Sequence, residues 1–296
     1  MSGMMLPNPL FTNHYGESGR GLSPRLWSKI AAHGSAPDGS QGIFASDDFL
    51  SIGQSVAVSS NIACYSSFAG QYKTYEDTST SVAQIATATG GVLRMALNAG
   101  DNQEISICQG GAGTSAATAV LGPINVASSP KPVIFEARFR MSSIADDAAA
   151  IFIGLMEENG AVHNAKVDDT GATIDNDFIG FETVHTNGGT TGANATLNFV
   201  WKKDGATKVT LISGVKTLVA DTWYKVGFVY QPLEAPSKRL AVFVDNVEQT
   251  TYGTYTQLSA STFPDGEELG FTAIAKTGSA TASNVDLDWW AAYLEV

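Results

Sequence analysis

The densest run of acidic side chains is Asp168-Asp169-Thr-Gly-Ala-Thr-Ile-Asp175-Asn-Asp177, four carboxylates and an asparagine in ten residues. Hard oxygen ligands on a loop suit calcium, so Asp168, Asp169, Asp175 and Asp177 are the residues to which a calcium ion would be assigned. The spacing fits no EF-hand, and the competing reading is a turn of solvated charge. No other cofactor is expected. A second acidic pair, Asp286 and Asp288, lies two apart and so shares one face of an extended segment. Glycoside hydrolysis needs such a pair, because one carboxyl protonates the leaving oxygen while the other attacks or activates water. Here, however, the segment continues Trp289-Trp290-Ala-Ala-Tyr293, a composition suited to packing. Elsewhere, Glu136-Ala-Arg138 puts a cation where a second acid would be needed. The four histidines, His14, His33, His163 and His185, fall in the N-terminal stretch or beside Gly/Asn-rich loops and read as solvated loop residues. No Gly-x-Ser-x-Gly elbow surrounds any serine. Gly110-Gly-Ala-Gly113 lacks the lysine and hydroxyl of a phosphate-binding loop. The expectation is a protein that is not an enzyme, with no catalytic residues.

Binding chemistry falls instead to aromatic and basic side chains. Trp223 opens a strand and reads as core. Trp289 shares the face of Val285 and Leu287 and reads as inward. Trp290 shares the face of Asp286 and Asp288, so these three form a candidate outward contact to a sugar or a partner. Residues 1–46 carry four prolines and seven glycines and show no sustained periodicity. Within them Leu26, Trp27 and Ile30 line one side of a short helical turn, with Arg20 and Arg25 beside them. This is the composition of an arm that orders on a partner. A tail, or an arm folded back on its own domain, is the alternative.

The net charge of −12 is carried outside the arm, which is itself +1. No basic stripe is present, which argues against nucleic acid as a partner. No run of about 18 apolar residues occurs, so no membrane-spanning helix is expected. Two cysteines, Cys64 and Cys108, form no Cys-x-x-Cys pair, which excludes a thiolate zinc site and leaves open whether they pair with each other.

These residues must be positioned by strands. Val133–Met141 alternates strictly: Phe135, Ala137, Phe139 and Met141 face one way, Glu136, Arg138 and Arg140 the other. Tyr224, Val226, Phe228 and Tyr230 share one face of the next clear strand. Some thirteen further strands are expected, the first at 48–52 and the last at 285–295, between turn signals such as Asp204-Gly205 and Asn187-Gly188-Gly189. The expectation is an all-β, antiparallel sandwich over residues 47–296, preceded by an extended arm over 1–46.

The segment Asp221-Thr-Trp-Tyr-Lys-Val-Gly-Phe-Val-Tyr230, followed by Leu240-Ala-Val-Phe-Val-Asp-Asn-Val247, resembles the signature hairpin of concanavalin-A-like and laminin-G-like jelly rolls. Asn246 stands where glycine is usual in that hairpin, and asparagine tolerates the same left-handed turn. Phe44-Ala-Ser-Asp-Asp-Phe49, the strand from Val133, Asp177-Phe-Ile-Gly-Phe181 and Val285-Asp-Leu-Asp-Trp-Trp-Ala-Ala-Tyr293, with Leu26-Trp27 before them, resemble the layout of lectin-like sandwiches in tailed-phage virions. That resemblance implies a capsid decoration, cement or head-fibre protein on the virion surface, made in the host cytoplasm. It implies the major capsid protein and further copies of itself as partners, engaged through Leu26, Trp27, Ile30, Arg20 and Arg25. The competing expectation is a carbohydrate-binding module that meets a host-surface glycan.

Overall fold

The structure is a computed structural model. It describes residues 21–29, 43–49, 56–57, 62–67, 70–78, 80–85, 91–109, 121–124, 126, 130–145, 147–157, 164–168, 170–185, 195–279 and 281–295. A single helical turn, α1 (Pro24–Trp27), comes first. The strands then run β1 (Ile43–Asp47), β2 (Val56–Ala57), β3 (Ile62–Ser67), β4 (Gly70–Glu76), β5 (Ser81–Gln84), β6 (Leu93–Leu97), β7 (Glu104–Gln109), β8 (Leu121–Pro123) and β9 (Val133–Met141). They continue as β10 (Ala150–Glu157), β11 (Phe178–Glu182), β12 (Thr196–Lys202), β13 (Val209–Thr217), β14 (Tyr224–Tyr230), β15 (Leu240–Val244) and β16 (Val247–Glu248). After a second short helix, α2 (Tyr255–Leu258), β17 (Glu268–Lys276) and β18 (Ser283–Leu294) close the chain.

Two antiparallel sheets result. Sheet A has the order β16-β15-β14-β9-β18-β6-β5, and β1 joins the far half of β18. Sheet B has the order β13-β12-β11-β10-β17-β7-β4-β3-β2, with β8 beside β17. The order jumps back and forth along the chain, as a jelly roll requires. The sheets face each other across one apolar layer. The inward faces read from the sequence hold: Phe135, Ala137, Phe139 and Met141 of β9, and Tyr224, Val226, Phe228 and Tyr230 of β14, all lie in it. Asp204-Gly205 makes the β12–β13 turn, with Gly205 at φ +70. Asp245 and Asn246, at φ 50 and 63, make the β15–β16 turn in the left-handed conformation expected of Asn246.

Two expectations are corrected, on the opening strand and on His185, and the question left open for the two cysteines is answered. The first described strand is 43–47 where 48–52 was expected, so position 46 falls inside β1; Asp48 and Phe49 follow the strand, and residues 50–52 lie outside the described residues. The cause is chemical: Asp47 turns its carboxylate back to accept Phe49 N–H at 2.8 Å, and Phe49 sits at φ 53, which ends the strand. Cys64 and Cys108 both pair with Lys73, from opposite sides. Their Cα atoms are therefore two strand spacings apart, roughly 9.5 Å, beyond the ~7 Å that a disulfide bridges. His185 is buried, not solvated: its Nε2 lies 3.0 Å from the Lys276 carbonyl oxygen. His14, His33 and His163 lie outside the described residues.

Candidate functional site

The last strand decides the fate of three candidate residues. β18 runs against β9 with a bulge between Leu287 and Trp289. A bulge inserts one unpaired residue, so every side chain after it changes face. Val285 and Leu287 point inward before it, and Trp290, Ala292 and Leu294 point inward after it. Trp290 is therefore buried, stacked on Phe271 with ring centroids 4.7 Å apart. Its indole N–H donates to the Tyr72 hydroxyl at 2.8 Å, and that hydroxyl donates to Asp47 Oδ2 at 2.8 Å. The expectation of an outward Trp290 is corrected, and Trp289 takes the outer side.

Asp286 and Asp288 do stay on the outer face of sheet A, but each meets arginine. Asp286 accepts from Arg94 Nε at 2.7 Å and from Arg140 Nε at 2.8 Å, and Asp288 pairs with Arg138. The guanidinium carbons of Arg138 and Arg140 stand 4.4 and 4.9 Å from the ring centroid of Trp223. Trp223 thus lies outside the core, as a cation–π platform, contrary to its reading from sequence. The pair of acids holds three arginines in place and has no free carboxylate to offer to a sugar bond.

Another part of that face is covered by residues 21–29. Leu26 and Trp27 are buried on Ile134, Val229, Ala241, Phe243, Ala291 and Tyr293. Burial of each such side chain stabilises the contact by about 1.5–3 kcal/mol. Glu136 Oε2 accepts Ser23 N–H at 3.0 Å and the Trp27 indole N–H at 2.7 Å. Burial pushes the Glu136 carboxyl above its usual range, opposed by the hydrogen bonds from Ser23 and Trp27 and by Lys225. Leu26 and Trp27, expected as anchors for another molecule, are here buried within the chain, which is the alternative of an arm folded back on its own domain. Arg25 is exposed, and its amide donates to Asn246 Oδ1 at 3.0 Å. Arg20 and Ile30 lie outside the described residues.

The outer face of sheet B carries the acidic run. Lys276, fully buried, donates to the Lys166 carbonyl at 2.8 Å and to Asn164 Oδ1 at 3.0 Å, and pairs with Asp168 and with Glu104. Glu104 in turn accepts the amides of Ala165 and Lys166 at 2.9 and 3.0 Å. This network straps the segment 164–168 onto the sheet. Burial lowers Lys166 to about 8. Asp175 pairs with Lys202 at 2.7 Å and accepts Gly205 N–H at 2.9 Å. Asp177 accepts Asp204 N–H at 3.3 Å. The carboxylates read as a calcium set therefore face different protein partners. Among the described residues no group of three or more His, Cys, Asp or Glu is placed to hold a metal, and Asp169 lies outside them.

What Asp175 and Asp177 position is the β12–β13 turn, and that turn forms one wall of an open groove of about 690 Å³. Its wall is Lys203, Asp204, Gly205, Ala206 and Thr207; the opposite wall is Ser259 to Phe263 with Asp265, following α2. Lys203 Nζ bridges the walls through the Asp265 carbonyl at 3.2 Å. The turn wall and Ser259 to Ser261 are largely exposed, while Phe263 is buried against Trp201 with ring centroids 5.6 Å apart. Beneath the turn, Glu157 meets Asp177. Desolvation, then the Asp177 charge and hydrogen bond, push the Glu157 carboxyl up to about 7. Sequence reading missed the groove because its walls lie more than fifty residues apart and carry only turn-type residues.

No family model matches the chain, and no curated sequence does. Several solved structures superpose loosely on the chain. The protein of unknown function SO2946 from Shewanella oneidensis MR-1 superposes with a TM-score of 0.48 at 16% identity, over 93% of this chain and 95% of that one. Peanut lectin superposes with a TM-score of 0.48 at 14% identity, over 86% and 97%. A carbohydrate esterase from the Shiga toxin-encoding bacteriophage phi24B gives 0.40 at 14% identity, over 76% and 90%. The antiparallel sandwich itself stands on the chain's own strand order.

Proposed function

We propose that the chain is a non-catalytic, carbohydrate-binding module whose ligand lies in the groove between the β12–β13 turn and the loop after α2. The groove's lining carries this reading. A sugar presents alternating hydroxyl donors and acceptors, and the walls offer a matching set: the Lys203 ammonium, the Asp204 and Asp265 carboxylates, and the hydroxyls of Thr207, Ser259, Ser261 and Thr262. The turn wall is held by Asp175 and Asp177, so it meets a ligand already ordered. A glycan array with and without calcium tests the reading. Binding of a defined glycan class is expected, reduced at least about tenfold by Ser261→Trp, which fills the groove from an exposed position and leaves the melting temperature unchanged. A chain that binds no glycan, or a filled groove that binds as well as before, would overturn it.

A second reading is a capsid decoration or cement protein with the major capsid protein as partner. The sequence layout favours it: a Leu-Trp element followed by the Asp47-Asp48-Phe49 opening. Peptides of the chain in purified particles would support that role, and their absence would remove it.

A further inference from the structure

We infer that the outer face of sheet A is a peptide socket specific for residues 21–29, and that the same segment of a second copy fills it, linking chains by arm exchange. The inference rests on no part of the groove reading. The segment is seated as a ligand is seated. Its contacts to the sheet are chiefly main-chain: Ser23 N–H to Glu136, Arg25 N–H to Asn246, the Gly21 carbonyl from Lys225 Nζ at 3.1 Å, and the Lys29 carbonyl from Gln231 Nε2 at 2.8 Å. Two side chains give specificity. The Trp27 indole N–H reaches Glu136, and Leu26 fills a pit above Gly227. A Cβ on Gly227 would stand 2.6 Å from Leu26 Cδ2 and 2.6 Å from the Phe135 carbonyl oxygen, so glycine there serves both the pit and the close approach of β9.

The segment is also a separate unit. It forms an apolar cluster apart from the main core, and one helical turn has no stability of its own. Thirteen residues separate Lys29 from Ile43, a reach of roughly 45 Å when extended. Yet the rings of Trp27 and Phe44 lie only 5.8 Å apart. The connection is far longer than the gap it closes, so exchange between two chains keeps every contact of the socket. An emptied socket is the costly state, because it returns the apolar surface of Ile134, Val229, Phe243 and Tyr293 to water and gives up the arm's contacts. The chain's own arm fills the socket when copies are dilute, at an effective concentration of about millimolar, and a neighbour's arm does so when copies are crowded.

Two full-length variants test this. Leu26→Ala/Trp27→Ala keeps an open socket and loses the arm's anchors. Gly227→Val keeps the anchors and blocks the pit. Each alone is expected to be monomeric by light scattering, and their mixture to form a 1:1 heterodimer. A fluorescent peptide of residues 20–30 is expected to bind the open-socket variant saturably, and wild type at least about tenfold more weakly, because its own arm competes. The peptide arm decides the matter if Gly227→Val fails to fold. No saturable peptide binding to an open-socket variant with a native circular dichroism spectrum would overturn the proposal, as would a mixture of two folded variants that stays monomeric.

Discussion

Glu157 is the residue whose protonation the fold most visibly controls. It sits beside Asp177 at the end of β10, and two carboxyls in contact cannot both carry charge cheaply. Its carboxyl is raised to about 7 by desolvation first and by Asp177 next. A raised acid binds its proton more tightly folded than unfolded. Its contribution is therefore fully present below the usual carboxylate range and is lost as pH rises through about 7. Glu157→Gln keeps the neutral shape and removes the titration. Its melting temperature is expected to change less between pH 5 and pH 8 than that of wild type, whose value falls across the same window. Superimposable pH profiles from scanning calorimetry would show that the contact with Asp177 does not exist. Asp177 meanwhile keeps a structural task, since it accepts the Asp204 amide and so helps to set the groove wall.

Among the elements, β18 carries the most consequence. It is the twelve-residue strand to which β9, β6 and β1 all attach. Its bulge divides it into two halves of opposite phase. The first half presents Asp286 to Arg94 and Arg140, and the second turns Trp290 into the core and Ala291 and Tyr293 toward the arm. Asp288 is the unpaired residue, so deleting it closes a regular ladder in which Leu287, Trp290, Ala292 and Leu294 still face inward, and removes the partner of Arg138. The expected loss is about 1–3 kcal/mol, with the core intact. Scanning calorimetry and near-ultraviolet circular dichroism check it. A deletion variant that loses its near-ultraviolet spectrum would mean that Asp288 is not the unpaired residue of the bulge. The β12–β13 hairpin is the complementary case, because its turn was read from Asp204-Gly205 and its place in the groove depends on Asp175 and Asp177 from another loop.

At the scale of the molecule, both outer faces of the sandwich are partly covered, by different chemistry. An apolar arm segment latched to one buried carboxylate lies on sheet A. A charged strap centred on Lys276 and Glu104 lies on sheet B. Taking charges out of water is expensive, so the strap holds by completeness: Lys276 has several acceptors and Glu104 has two backbone donors. Sheet B also separates the chain's two cysteines across β4, with Lys73 between them. A reducing agent is therefore expected to leave the melting temperature unchanged. A clear drop on reduction would contradict the register of β3, β4 and β7.

The residue pattern by itself determined the all-β class, the inward faces of β9 and β14, and the turn at Asp204-Gly205, and the hairpin resemblance added the turn at Asp245-Asn246. Period-two alternation and left-handed turn residues are local signals that neighbouring chain obeys. It also marked Leu26-Trp27, the Asp47-Phe49 opening and the acidic run as places of consequence. Only the tertiary structure decided what they do. The phase change in β18 comes from one unpaired residue with no signature in composition, and it exchanges the roles of Trp289 and Trp290. The burial of Leu26 and Trp27 depends on Gly227 and Glu136, some two hundred and one hundred residues away in the chain. Which carboxylate meets a lysine, an amide or another carboxyl is likewise a matter of long-range packing, because hydrogen-bond partners are assigned by proximity in space and alternation along a strand carries no record of them.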